Sequence, residues 1–223
     1  MTDYTLKRSD RKTIAIHIRD GLVEVRAPLK APKRDVDRFV KSKEAWIAEK
    51  LEKQNAQIDL RRGFSLTYGD LVTYRGKQYP IVAKQGDRVG FSDDSFYMPP
   101  NLTPAQIKRA CVQIYCLLAK LDLTARSLEL ARQMDACPNS VRINSAKHRW
   151  GSCSSKKSVN FSWRLIMVGD DVIDYVIVHE LSHLKELNHS TRFWTLVESV
   201  LPDYRERREK LNEMQGSLAC EDW

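Results

Sequence analysis

The first part of the chain alternates between apolar and polar positions as β-strands do. Period-two alternation runs through residues 13–18 and 22–26, and Asp20-Gly21 between them is a strong hairpin signal. His17 lies on the strand face opposite the neighbouring isoleucines, so we expect an exposed strand residue and not a metal ligand. Apolar positions at helical spacing then predict one helix over residues 35–56.

Four short strand patterns follow between residues 64 and 98, separated by glycine-containing turns. Pro99-Pro100 then marks a predicted domain boundary. Thr103-Pro104 combines a capping residue with a first-turn proline, and predicts the start of a long helix that ends near Met134. Residues 1–100 are therefore predicted to be a mainly β region with one helix.

The remaining residues, 101–223, mix both kinds of element and predict a small α+β domain. Residues 140–144 and 158–166 have the pattern of strands, and residues 149–153 between them have the pattern of a compact turn. The protein as a whole is thus predicted to belong to the α+β class.

Three helices are predicted after residue 169. The first covers residues 170–187, carries a long apolar stripe and has Asp170 or Asp171 as its cap. Ser190 is placed to cap the second helix. A last, highly charged helix covers residues 205–214.

The first of these helices carries the sequence His-Glu-Leu-Ser-His. His179 and His183 are spaced by four residues, so a helix places both imidazoles on one face, where they can hold one metal ion. Glu180 follows the first histidine and is placed to take a proton from a metal-bound water. This H-E-x-x-H pattern is typical of zinc hydrolases.

His189 is the candidate for a third metal ligand. It lies too far along the chain to share the helical face, but the chain can turn back and place it beside the other two histidines. Packing of the following helix would then fix its position. Three protein ligands and one water are usual for a catalytic zinc ion, of which we expect one per chain. A ligand from elsewhere, such as a carboxylate, is the alternative.

Composition limits the class of protein. The 223 residues have 42% apolar and 30% charged side chains, which is typical of a globular protein. We find no apolar run long enough for a membrane span and no signal peptide at the start, and so we expect a cytoplasmic protein without a membrane partner. The net charge of +8 favours anionic partners, although the spread of lysine and arginine along the chain makes it only weak support for nucleic-acid binding.

The five cysteines contain no C-x-x-C pair and are odd in number, which argues against a disulfide framework and against a structural zinc site. Cys153 follows Gly151-Ser152, but nothing in the sequence indicates a histidine that would activate its thiol. We therefore predict that Cys153 is not a nucleophile.

Several segments resemble the YgjP-like metallopeptidase domain family. The resemblance rests on residues 149–154, 163–166, 174–176, 179–183 and 188–190, together with Phe193-Trp194, and it covers nearly the whole chain. It implies a zinc-dependent hydrolase with a zincin-like α+β catalytic domain, similar to the SprT-like proteases. It also implies that His179, His183 and His189 hold the metal and that Glu180 is the general base.

The leading functional prediction is a zinc metallopeptidase that acts on a protein or peptide. The same chemistry can hydrolyse a phosphoanhydride, so a nucleotide pyrophosphatase is the alternative, although no Gly-rich phosphate loop is found. A non-catalytic adaptor whose zinc only stabilises the fold is a third possibility, and the presence of Glu180 argues against it. Arg149, Arg164 and Tyr204 are the candidates for contacting the developing oxyanion or the substrate.

Overall fold

The computed structural model describes residues 2–19, 21–218 and 221–223. The chain folds into two compact units, Met1–Phe64 with Leu218–Asp222 and Ser65–Ser217 with Trp223. The division therefore falls after Phe64, whereas the sequence pattern placed it near residue 100. The physical reason is that strands from residues 71–98 are hydrogen-bonded to later elements of the second unit. The Tyr115 hydroxyl, for example, donates to the Thr73 carbonyl at 2.7 Å.

The first unit is a three-stranded sheet with two helices. Its elements are β1 (Thr5–Ser9), β2 (Ala15–Arg19), β3 (Leu22–Pro28), α1 (Lys33–Ser42) and α2 (Glu44–Gly63). The strands pair in the order β1-β3-β2, with β1 parallel and β2 antiparallel to β3. The buried core is formed by one face of β3 and by apolar side chains of both helices: Val23, Val25, Ala27, Val36, Val40 and Ile47.

The β2–β3 hairpin agrees with the sequence pattern. Asp20 lies outside the described residues, but Gly21 has a φ of +74°, which a two-residue hairpin turn requires. His17 pairs across the strands with Glu24, on the sheet face opposite the core. Its predicted place in a strand is therefore confirmed, but His17 is half-buried and not exposed as the sequence pattern predicts.

The single helix predicted over residues 35–56 is wrong, because the chain forms two helices that meet at Lys43. Lys43 leaves the helical conformation at a φ of −110° and a ψ of 10°. Just before it, the Ser42 hydroxyl donates to the Phe39 carbonyl at 2.7 Å. Such a side-chain bond competes with helical hydrogen bonding, and the apolar pattern does not reveal it.

The second unit contains two sheets and four α-helices among the described residues. Its elements are β4 (Leu71–Tyr74), β5 (Lys77–Ala83), β6 (Gly90–Ser92), β7 (Ser95–Met98), α3 (Pro104–Gln133), β8 (Ser140–Asn144), β9 (Gly151–Cys153), β10 (Ser158–Ser162), a 3-10 helix (Trp163–Met167), α4 (Asp170–Ser182), α5 (Thr191–Val200) and α6 (Tyr204–Leu218). The sheet orders are β4-β5-β7-β6 and β8-β10-β9. The α+β class predicted from the sequence is confirmed.

Helices α3 and α4 and the 3-10 helix form the centre of this unit. The Tyr115 ring of α3 stacks on the Trp163 ring at a centroid distance of 5.6 Å, and both side chains are buried. Helix α4 is buried along most of its length, including Ile177, Val178 and Leu181. Burial on several sides gives α4 a rigid position in the unit.

The start of α4 is held by the turn between β4 and β5. Backbone amides of Arg75 and Gly76 donate to the carbonyls of the 3-10 helix at 2.8 and 3.0 Å. The Arg75 guanidinium binds Asp170 through two hydrogen bonds of 2.7 and 2.6 Å. The cap of α4 is Gly169, so the prediction that Asp170 or Asp171 caps it is wrong. Asp170 lies in the first turn and pairs with arginines instead.

Three further boundaries differ from the sequence pattern. The strand predicted over residues 158–166 ends at Ser162, where the chain enters the 3-10 helix. The predicted compact turn at residues 149–153 contains a strand, β9, which pairs antiparallel with β10. The helix predicted over residues 170–187 ends at Ser182, and Leu187 is 70% exposed. None of the helices in the described ranges has the length and hydropathy needed to cross a bilayer.

Candidate metal centre and active-site cleft

Three histidines converge where α4 ends. Their candidate ligand nitrogens all lie within 4.8 Å of one another. His179 is on the last turn of α4, His183 is the residue that follows the helix, and His189 returns from the turn beyond it. The His179 and His189 Nε2 atoms are 3.0 Å apart. The early end of α4 therefore lets the chain turn back and bring His189 to the other two rings.

Helix α5 provides the apolar base of this histidine cluster. Ser190 caps α5 by accepting from the Phe193 amide at 3.4 Å, as the sequence predicts. The buried Phe193 ring then contacts all three imidazoles, with centroid distances of 4.9, 4.6 and 4.7 Å to His179, His183 and His189. One side chain of α5 thus packs against every member of the cluster.

The protonation of the cluster suits metal binding. Burial, reinforced by His183, His189 and the charge of Arg208, lowers the pKa of His179 to about 3. Burial, together with His183 and Arg208, also lowers the pKa of His189. Both imidazoles are therefore neutral at pH 7 and keep a lone pair for a metal ion.

One hydrogen bond fixes the orientation of the His183 ring. His183 Nδ1 lies 3.1 Å from the Glu186 carbonyl oxygen. Because a carbonyl only accepts, Nδ1 carries the proton and Nε2 is left as the free donor atom for a metal. His179 Nδ1 differs, since it is buried and has no hydrogen-bond partner among the described residues.

Glu180 lies beside the histidines and is 7% exposed. Burial raises the pKa of Glu180 to about 7, although the positive charge of Arg149 acts in the opposite direction. A carboxyl group with a pKa near neutrality can both accept and donate a proton at pH 7.

Strand β9 packs directly against this carboxyl group. A Cβ atom built on Gly151 would lie 2.6 Å from Glu180 Cγ and 2.8 Å from Oε1, closer than any real contact. Only glycine therefore allows β9 to approach Glu180 as it does. The segment Trp150-Gly151-Ser152-Cys153 thus forms one wall beside Glu180.

A small cleft of about 160 Å³ opens at this point between three elements. Its floor is α4, with Tyr175, Val176, His179 and Glu180, and its walls are β9 and α6. The lining residues are Trp150, Gly151, Tyr175, Val176, His179, Glu180 and Leu211. Among the lining residues that the structure describes, Glu180 carries the one carboxylate.

The three predicted contact residues occupy different surroundings. Arg149 precedes Trp150 of the cleft and acts electrostatically on Glu180, so the structure brings it to the site. The Arg164 guanidinium donates to the carbonyls of Trp223 and Ser145 at 2.7 and 3.2 Å. Tyr204 is buried against the Trp194 ring. Neither Arg164 nor Tyr204 lines the cleft.

Two further residues lie near the site: Trp194, which the sequence indicated only as part of the family resemblance, and Arg208, which sequence reasoning missed. The Trp194 ring lies 5.7 Å from His189 and 5.9 Å from His179. The Arg208 guanidinium lies 5.5 Å from the Trp194 ring. Arg208 was missed because it belongs to a highly charged helix in which no sequence signal distinguishes it from its neighbours.

Cys153 has the properties of an unactivated thiol. Burial, together with the charge of Glu180, raises its pKa. Cys153, Cys111, Cys116 and Cys137 are all free thiols, and Cys220 lies outside the described residues.

Comparison with known proteins identifies a family that matches most of the chain. A family model described as YgjP-like, metallopeptidase domain matches residues 12–214. A search of curated proteins finds no match. The metallopeptidase zymogen abylysin of Pyrococcus abyssi is 23% identical, with a TM-score of 0.38, over 43% of this chain and 94% of that chain. The zymogen jannalysin of Methanocaldococcus jannaschii is 20% identical, with a TM-score of 0.39, over 42% of this chain and 96% of that chain.

Proposed function

Because the chain belongs to the YgjP-like metallopeptidase domain family and is a metallohydrolase of that class, we propose that it hydrolyses peptide bonds with one zinc ion. In this proposal His179, His183 and His189 hold the ion and Glu180 is the general base. The observation that carries the proposal is the convergence of three imidazoles within 4.8 Å, next to a buried carboxyl group.

The donor set fits zinc. Two nitrogen ligands of a tetrahedral zinc ion, each about 2.0–2.1 Å from it, lie about 3.3 Å apart. The 3.0 Å between the Nε2 atoms of His179 and His189 is close to this value. A bound zinc ion would supply Lewis-acid chemistry, acidifying a water molecule and polarising a carbonyl oxygen.

Glu180 is proposed to move the proton. Its carboxylate takes a proton from the attacking water and delivers it to the leaving amine nitrogen. Gly151 on β9 limits the positions that this carboxyl group can take, and burial excludes competing water. Of the three candidates from the sequence, we propose Arg149 for stabilising the developing oxyanion, because its charge acts on Glu180.

The position of β9 favours a peptide as substrate. β9 is an edge strand, paired with β10 on one side. An extended peptide can add to such an edge by backbone hydrogen bonds, which would place it across the cleft beside Glu180. The cleft of about 160 Å³ is also smaller than the roughly 300–1,000 Å³ of typical small-molecule pockets. We therefore expect a nucleotide to fit this small cleft less well than a peptide chain that crosses it.

The other predicted functions have less support. Phosphoanhydride hydrolysis would use the same metal and base, so it is kept as an alternative to be measured. A non-catalytic adaptor would not need a buried carboxyl group beside the histidines. Nucleic-acid binding rests on net charge alone, and the cytoplasmic location stays a prediction.

The test is hydrolysis by zinc-loaded protein of unfolded casein and, separately, of nucleoside triphosphates. We expect casein fragments and little release of phosphate or pyrophosphate. Hydrolysis of triphosphates alone would contradict the proposal. Metal analysis of His189→Ala tests the third ligand, because full zinc content in that variant would exclude His189 from the ligand set.

A further inference from the structure

One face of α6 is turned toward the active-site cleft. Tyr204, Arg208 and Leu211 are spaced at i, i+4 and i+7, which places them on the same side of the helix. Leu211 lines the cleft, and the Tyr204 ring stacks on the Trp194 ring at 5.3 Å. Arg208 lies between these two contacts along the helix.

The position of the Arg208 side chain agrees with this spacing. Its guanidinium lies 5.5 Å from the Trp194 ring, which in turn stacks near His189. Arg208 is therefore a cation at the rim of the histidine cluster.

Arg208 differs from the other arginines of α6. Arg205 pairs with Glu198 at 2.9 Å, and Arg207 pairs with Asp203 at 2.9 Å. Over the residues that the structure describes, Arg208 has no such carboxylate partner, and its side chain is exposed. Its N–H donors are thus available to a molecule that enters the cleft.

The chemistry of this donor group indicates the kind of ligand. A guanidinium presents a planar set of N–H donors that matches a carboxylate through two parallel hydrogen bonds. Arg149 directly precedes Trp150 of the cleft lining and adds a second positive charge close to the cleft. A negatively charged substrate complements this arrangement.

We propose that Arg208 binds a carboxylate of the substrate, so that the enzyme prefers peptides with an acidic group close to the scissile bond. The inference rests on the proposed peptidase function and extends it to a substrate class. The carboxylate can come from an acidic side chain or from the C-terminus of the peptide.

The test uses quenched fluorescent peptides that differ at one position, as Glu, Gln or Lys, each made with a free and with an amidated C-terminus. A charge-assisted hydrogen bond typically changes kcat/KM on the order of 10-fold or more. We expect the zinc-loaded protein to prefer the Glu peptide over the Gln peptide by about that factor. A preference that follows the free C-terminus instead would identify the terminal carboxylate as the bound group.

Variants assign the preference to Arg208. Arg208→Gln should remove the preference, chiefly through KM, and Arg208→Lys should restore part of it. Arg205→Gln is the matched control, because it removes one charge from the same helix but from an arginine that pairs with Glu198. An unchanged Glu-over-Gln ratio in Arg208→Gln would overturn the inference, and so would equal cleavage of all the peptides by the unmodified protein.

A binding measurement separates this inference from the proposed function. Fluorescence anisotropy of the same peptides on zinc-loaded Glu180→Gln reports recognition without turnover. Arg208-dependent binding of the acidic peptide, with no peptide cleaved by the unmodified protein, would support the inference and contradict the peptidase proposal. Cleavage without any acidic preference would overturn the inference alone. Tight binding of nucleoside triphosphates in place of the acidic peptide would also overturn it.

Discussion

The contact between Gly151 and Glu180 allows a sharp test of how the site is built. Replacing Gly151 by alanine adds a single methyl group to β9. That carbon would lie 2.6 Å from Glu180 Cγ, 2.8 Å from Oε1 and 2.9 Å from Cδ. Carbon atoms normally approach to about 3.5–4.0 Å, so the carboxyl group or the strand must move by about 1 Å.

The Gly151→Ala substitution is expected to affect both the stability of the fold and the rate of hydrolysis. Overpacking a buried position typically destabilises a fold by about 1–3 kcal/mol, and each kcal/mol lowers Tm by about 2–4 °C at this chain length. A displacement of about 1 Å at a reacting group can lower the rate about 10²-fold. We therefore expect Gly151→Ala to fold and retain zinc, while kcat/KM falls about 10²-fold.

The assay pairs peptide hydrolysis with zinc content and thermal unfolding. Ser152→Ala is the matched control, because alternation along the strand turns that side chain away from the Glu180 side. If Gly151→Ala acts through the general base, it should add little to the loss already caused by Glu180→Gln. A folded, zinc-containing Gly151→Ala variant with an unchanged rate would refute the reasoning.

Three further predictions concern titration, the thiol and the anchoring of α4. Burial raises the pKa of Glu180 to about 7 from its ordinary value near 4.5. The stability that the protonated Glu180 carboxyl group contributes is therefore complete below pH 4.5 and is lost as pH rises through 7. In the metal-free protein, chemical denaturation should show that the unfolding free energy of Glu180→Gln, relative to that of the unmodified protein, rises by about 3 kcal/mol from pH 4 to pH 9. An unchanged difference in unfolding free energy would contradict the burial argument. Cys153→Ser should keep most of the hydrolysis rate, and a collapsed rate in a folded variant would show that the thiol takes part. Arg75→Ala removes the two-fold hydrogen bond to Asp170 at a position where the arginine side chain is 36% exposed. It should lower the unfolding free energy by about 1 kcal/mol, and a loss below measurement error would mean that solvent screens the pair fully.

The local part of the site could be predicted from the sequence. His179, Glu180 and His183 are fixed relative to one another by helical spacing, and His189 is close enough in the chain to return after one turn. The histidine cluster of the structure contains these same three histidines. The α+β class followed from the order of strand and helix patterns.

The end of α4 could not be predicted because apolar residues continue past it. Leu184 and Leu187 extend the apolar pattern, yet the helix stops at Ser182, whose hydroxyl donates to the Val178 carbonyl at 2.8 Å. An apolar pattern does not show whether a leucine is buried, and Leu187 is mostly exposed.

Contacts between segments that are distant in the chain could not be predicted from the sequence either. The sequence does not indicate that Gly151 is needed for the close approach of β9 to Glu180, because the two residues meet only when β9 packs on α4. Arg208 could not be distinguished from its paired neighbours on α6 without the positions of their carboxylate partners.

The most direct test of the proposed mechanism is Glu180→Gln, measured for zinc content and for peptide hydrolysis in the same preparation. The amide is nearly isosteric with the carboxyl group, but it cannot accept a proton, and loss of general-base help typically lowers the rate by about 10²–10⁴-fold. We expect full zinc content with a rate reduced by that factor. Full zinc content with an unchanged rate would contradict this mechanism, because another group would then have to take the proton.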